Sequence, residues 1–247
     1  MAEVSKKSFK TKKKTPDNLT CELVFDGGLL SNTRASLVIE LIKYFMFERH
    51  QIPQPFEHVK RDMKMKEEKI AAGPRTQPTD LQPKRKIKSI IENLEMLFDN
   101  LEKSFVLCPE ISQIVIILGG TIVSPKETFV IKLPQLSPDA DNLVFKTCVK
   151  AMFRQIITQD LLCDMKALTP TNMSVLLHAP RECNMEWFIP NHTFKFPVRG
   201  RFFTYNCTCK QPVDDRIWFQ SPVNVKGFRD PLNIQNMSLM FCINICI

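Results

Sequence analysis

Four histidines (His50, His58, His178 and His192) and nine cysteines are the residues of this chain best suited to hold a metal or attack a substrate. Their spacing assembles neither chemistry. No histidine pair follows the HExxH pattern that sets two imidazoles on one helix face beside a carboxylate base. Cys207 and Cys209 form a CxC that Cys183 or His192 could join. Residues two apart on a strand share a face, however, which equally suits two core thiols. No second tight Cys/His pair accompanies them, so no metal is expected. The loop LGGTIVSPKE lacks the GxxxxGK[ST] order of a phosphate cradle, and Lys126 after Ser124 and Pro125 reads as a turn residue. There is no GxSxG elbow, and Ser124, Cys163 and Cys183 have no base partner nearby in sequence. A protein without catalytic residues or cofactor is expected.

Charge points to binding rather than reaction. The formal net charge is +8, concentrated in Lys6, Lys7, Lys10, Lys12, Lys13 and Lys14 and in the run PKRKIK from Pro83 to Lys88. Such runs read first as solvated tails and second as nuclear-import or nucleic-acid contacts. Neither interleaves aromatics, as a single-strand binding groove would. A nucleic-acid-binding module is therefore the alternative reading, not the first. The start, MAEVSKKSFKTKKKTPDN, offers no apolar signal region, so the cysteines are expected to be reduced, buried thiols of a nuclear or cytosolic protein. The apolar stretch Asn233 to Ile247 is shorter than the ~20 residues that span a bilayer. It reads as an extra strand or an alternative ending, and its Cys242 and Cys246 less readily as lipid acceptors.

The elements that could position a binding surface follow from periodicity. Residues 1 to 18 read as a disordered basic tail, Thr20 to Phe25 as a strand, and Arg34 to Arg49 as a helix stopped by Pro53 and Pro55. The polar, proline-rich run 61–84 reads as a mobile loop. Lys86 to Phe105 is a second helix, with Ile87, Ile90, Ile91, Leu94, Leu97, Phe98 and Leu101 at helical spacing. Gln113 to Gly120 is a buried strand entering a turn, and Glu127 to Leu133 its antiparallel partner. Asp141 to Cys163 is a third helix. Met173 to His178, Arg201 to Cys209 and Arg216 to Gln220 complete the strands. Helices and strands in this order make an α+β domain, not a regularly wound α/β one.

Two helix faces raise the question of a partner. On the third helix, Phe145, Cys148, Val149, Met152, Phe153, Ile156 and Ile157 cover about half the circumference, wider than the ~100° stripe that one core face needs. Phe153 and Ile157 fall at the edge of that arc. On the first helix, Leu37, Tyr44 and Glu48 share one edge, so a carboxylate ends an otherwise apolar line. Burial on two sides is the plain explanation, and an interface the sharper one. The segment IWFQSPVNVKGFRD, Ile217 to Asp230, poses a related choice between core strand and docking surface. Alternation puts Trp218 and Gln220 on one face and Ile217 and Phe219 on the other, and Pro222 makes the continuation an edge or bend.

Taken together, ELIKYFMFERHQIPQPFEHVK, VIILGGTIVSPKE, AMFRQI, EWFIPN and IWFQSPVNVKGFRD resemble the Comet family, in the family's order and over about residues 20 to 230. These are binding proteins of the spindle-checkpoint protein "mitotic arrest deficient two". The resemblance implies a HORMA-like fold: three helices on a mainly antiparallel sheet, in a single domain over 19–230 closed by a C-terminal safety-belt segment, with 231–247 as an atypical tail. It implies a non-catalytic adaptor in nucleus and cytoplasm, at the spindle or kinetochore. Such an adaptor binds the closed checkpoint protein through a pseudo-symmetric helix pairing and presents it to a Pch-type AAA+ ATPase for opening, which silences the checkpoint. By the same resemblance, Phe153 matches the aromatic anchor on the third helix, with Ile157, Tyr44 and Glu48 beside it. Glu48 stands where the family carries glutamine. Pro190 and Asn191 match the ATPase-facing loop, with Asn191 in place of a basic residue. Trp218, Phe219 and Phe228 would anchor the safety belt.

Overall fold

The computed structural model describes residues 18–26, 28–71, 81–134, 136, 143–163, 165–208 and 216–227. Among these, four helices and eight strands follow in the order β1 (Asn18–Leu23), α1 (Ser31–Glu48), α2 (Phe56–Ala71), α3 (Leu81–Leu107), β2 (Gln113–Thr121), β3 (Ser124–Lys132), α4 (Phe145–Gln159), β4 (Asn172–Pro180), β5 (Ile189–Asn191), β6 (Arg201–Cys207), β7 (Arg216–Gln220) and β8 (Val225–Lys226). The sheet is organised around the apolar run of β2. Ile114, Ile116 and Leu118 enter the main core, while Val115 and Ile117 join a smaller cluster with Val130 and Leu176. A strand buried on both faces has no reason to alternate with polar residues, which is why this one reads as continuous.

β2 pairs antiparallel with β3 on one side and with β4 on the other, as its sequence predicts for β3. The strand order is β1-β6-β3-β2-β4-β7-β5, with β8 also on β4. β6 runs parallel to both of its neighbours, β1 and β3, so the sheet is mixed. The β2–β3 hairpin turns through Gly119 and Gly120. A Cβ on Gly119 would lie 2.7 Å from Pro125 Cα and 2.8 Å from the Ser124 carbonyl oxygen, whereas one on Gly120 would meet open space. Only the first glycine is demanded by packing.

α1 lies at the centre of the main core. Phe45 stacks on Phe129 of β3 at 4.3 Å, and Phe129 on Phe203 of β6 at 4.9 Å, so one aromatic column ties helix to sheet. At the start of α1, the buried Arg34 donates from Nη1 to the Pro109 carbonyl at 2.6 Å and from Nη2 to the Ile111 carbonyl, fastening α1 to the chain leaving α3.

The helix count exceeds the sequence expectation by one, because α2 occupies much of the run read as a loop. FEHVKRDMKMKEEKIA is mostly charged, yet composed largely of strong helix formers. Among the described side chains of this helix, Phe56, Val59 and Met63 reach the core, too narrow a stripe for periodicity to detect. The other end of the supposed loop, from Leu81, already belongs to α3. α4 is shorter than its pattern suggests. It ends at Asp160, whose backbone is left-handed (φ 37°, ψ 56°) and whose N–H returns to the Ile156 carbonyl at 2.8 Å.

The expectation of uniformly reduced cysteines also needs correction, since a disulfide joins Cys108, after α3, to Cys183, after β4. The pair is separated by 75 residues, which hides its proximity from sequence. Cys21 and Cys148 are buried thiols as expected, and burial pushes the Cys21 thiol up to about 11. Cys209, the lysine-rich run Lys6 to Lys14, Phe228 and the stretch Asn233 to Ile247 lie outside the described residues. Within the described residues no helix is long and apolar enough to cross a membrane.

Candidate partner interface

The residues expected on the first and third sequence helices do converge, where the C-terminal ends of α1 and α4 meet. Tyr44 and Phe153 touch edge to face, with ring centroids 5.6 Å apart at 67°. Both are nearly covered, Tyr44 at 7% and Phe153 at 5% exposure, whereas Ile157, one turn beyond Phe153, is 43% exposed. The wide apolar arc of α4 therefore divides. Cys148, Met152, Phe153 and Ile156 are buried, Val149 is half-buried, and Ile157 projects outward. Val149, Phe153 and Ile157 recur every four residues and so form one ridge, flanked by the exposed Lys146 and Lys150.

The end of this ridge is acidic. Glu48 is half-buried, and its carboxyl is held above the usual range first by burial and then by the charge of Asp160, against the opposing pull of Arg49. Burial, followed by the Glu48 charge, likewise pushes the Tyr44 phenol far upward. Both carboxylates stand at helix C-termini, where the helix dipole disfavours negative charge. An outward-facing cation beside Glu48 would offset this.

Arg49 is no candidate for that role, because it is committed inward. Its Nε donates to Glu127 Oε2 and its Nη2 to Glu127 Oε1, both at 2.8 Å, in a pair with side chains only 2% and 1% exposed. Nη2 also donates to the Lys166 carbonyl at 2.7 Å, and Arg201 Nη1 lies 3.6 Å from Glu127 Oε1. One guanidinium thus gathers the end of α1, β3 and the chain after α4. The adjoining Gln51 continues the network: its Nε2 donates to the Arg49 carbonyl at 2.7 Å and its Oε1 accepts from the Thr171 N–H at 2.8 Å.

The aromatic segment near the C-terminal end lies along β4. β7 pairs with Leu176–Pro180, and β8 with Asn172 and Met173. Between them, the Ser221 N–H donates to the Val175 carbonyl at 2.7 Å. Phe219 is in the main core, and Trp218 faces the opposite side, stacked on His178 at 4.6 Å and edge-on to Phe194 at 4.9 Å. The alternation read from sequence holds at these two positions. Gly227 ends the segment against Gln51, where a Cβ would approach Gln51 Oε1 to 2.2 Å. Pro190 and Asn191 occupy β5, the edge strand paired to β7 through Pro190↔Phe219 and Asn191↔Trp218. Pro190 is exposed. Asn191 is used locally: its Nδ2 donates to Gln220 Oε1 at 3.2 Å, and its Oδ1 accepts from the Thr193 N–H at 3.2 Å.

Comparison with known proteins shows the family of the chain. A family model described as p31comet, Mad1 and Cdc20-bound-Mad2 binding, matches residues 2–230. The chain belongs to the p31comet family. This p31comet-family chain is 30% identical to the human MAD2L1-binding protein over 229 residues, covering 87% of this chain and 82% of the relative. It is 28% identical to the mouse MAD2L1-binding protein over 217 residues, covering 84% and 78% respectively. The family is one of binding proteins in the spindle checkpoint, not of enzymes. Within it, the sequence reading named Phe153, Ile157, Tyr44 and Glu48, which the fold brings to one place. It missed the flanking Lys146 and Lys150, which an eye for the ridge's i−3 and i−7 neighbours would have found. Gln155 and Gln159 on α4 hydrogen-bond to Val24 and Glu22, too distant in sequence for the pairing to be read from it.

Proposed function

We propose that this chain binds Cdc20-bound, closed Mad2 through the α4 ridge and the C-terminal end of α1, as a HORMA-like adaptor that presents the closed form to a Pch-type AAA+ ATPase for opening. The family's description as binding Mad1 and Cdc20-bound Mad2 supports the partner. The observation that carries the surface is Ile157, 43% exposed at the end of a ridge whose Phe153 is buried and whose Val149 is half-buried. An exposed apolar side chain continuing a buried ridge is the form an interface anchor takes, and the ridge's basic start and acidic end suit an oppositely directed helix of similar polarity. Phe153 lies beneath this anchor. Truncating a buried phenylalanine costs about 3–5 kcal/mol of stability, so Phe153→Ala would confuse folding with binding. Ile157→Arg avoids that. It should weaken capture of closed Mad2 by at least about tenfold while thermal unfolding and circular dichroism stay at wild-type values. Undiminished capture by the folded variant would remove the ridge from the interface.

In the same reading, segment 216–227 is the safety belt that closes the domain on β4, and β5 with Pro190 and Asn191 faces the ATPase. Replacing both Pro190 and Asn191 with alanine should leave Mad2 affinity intact and slow ATPase-driven opening.

A further inference from the structure

Among the described residues, β1 is the end strand of the sheet and pairs with β6 along one side only. An open strand edge is a template for pairing and is usually protected. Here two side chains of α4 stand where the next strand would run. Gln155 Oε1 accepts from the Val24 N–H at 2.8 Å, and its Nε2 donates to the Val24 carbonyl at 2.9 Å. One helical turn on, Gln159 Oε1 accepts from the Glu22 N–H at 2.9 Å, and its Nε2 donates to the Glu22 carbonyl at 2.8 Å. A primary amide carries the donor and acceptor of a peptide unit, so each glutamine replaces one residue of a missing strand. The two periodicities also agree. Four helix residues rise about 6 Å, and two strand residues advance about 6.6 Å.

The clamp acts on the helix that carries the ridge. Gln155 lies about 200° around α4 from Phe153, so α4 is gripped on opposite flanks, by β1 through the amides and by α1 through Tyr44–Phe153. Its N-terminus has no side-chain cap to add a further hold. We propose that Gln155 and Gln159 are positioning residues for partner binding. By fixing the roll of α4 against the β1 edge, they set the direction in which Ile157 and its flanking lysines project. This rests on the reading that the ridge receives closed Mad2.

The test is a graded series in the full chain. Gln155→Met with Gln159→Met keeps length and helix propensity but removes all four bonds. Gln155→Glu with Gln159→Glu at neutral pH keeps an acceptor for each N–H but has no donor for the carbonyls. Amide hydrogen exchange at Glu22 and Val24 should accelerate in the methionine pair, and affinity for closed Mad2 should fall about tenfold. The glutamate pair should fall between methionine and wild type in both readouts. Affinity unchanged across a series whose exchange rates do change overturns the positioning role and leaves a purely structural clamp. Unchanged exchange overturns the clamp itself. Ile157→Arg, measured alongside, separates these failures from failure of the interface reading, because it alone reports whether the ridge touches Mad2.

Discussion

Glu48 shows how one residue can be tuned against the fold that holds it. Burial and the neighbouring Asp160 raise its carboxyl, so the folded chain binds that proton more tightly than the unfolded chain does. By linkage, the stabilisation is complete below the unfolded value of about 4.3 and is lost as pH rises through the folded value. Ionised Glu48 therefore opposes folding at neutral pH. Glu48→Gln should raise the melting temperature at pH 7, with the gain fading as the pH approaches 4, and parallel melts of the two proteins check this. The same substitution should change the salt dependence of Mad2 capture if a partner cation meets Glu48.

At the scale of elements, each part of the fold was legible to the extent that its cause was local. β2 was evident because burial on both faces leaves an unbroken apolar run, and β7 because Trp218 and Phe219 alternate between two packed faces. α2 was not, because its mostly charged sequence, with Phe56, Val59 and Met63 the core contacts among its described side chains, leaves almost no periodic trace. The apolar arc of α4 was read correctly in width, but which edge would be covered depends on Tyr44, 109 residues before Phe153 in chain numbering (153 minus 44). The glycine pair in the β2–β3 turn makes the limit of motif reading concrete, since sequence treats Gly119 and Gly120 alike and packing does not. Gly119→Ala should cost about 1–3 kcal/mol by forcing apart two backbones. Gly120→Ala should stay within about 0.5 kcal/mol of wild type. Denaturant melts of the two variants make the comparison.

For the whole molecule, the interior is fastened at one ionic point. Arg49 and Glu127 are both sealed from solvent and fully engaged with each other, and Arg49 also holds the carbonyl of Lys166. Arg49→Ala should cost about 3–5 kcal/mol, because it leaves a buried carboxylate with only the more distant, exposed Arg201 as counter-charge. Replacing both partners with apolar residues, as in Arg49→Met with Glu127→Leu, should cost much less. Equilibrium unfolding of the single and double variants separates the two effects, and a double variant as unstable as the single would show that the pair itself, not the orphaned charge, matters. The sheet's topology carries a further consequence, for synthesis. Glu22 of β1 meets Asn206 of β6 across 184 residues of chain. At ribosomal speeds of roughly 5–20 residues per second, β1 leaves the exit tunnel about 10–40 s before β6, its strand neighbour among the described residues, exists. The first strand to be made is therefore among the last to be seated, and a nascent chain halted before β6 would carry it as an unpaired, chaperone-accessible segment.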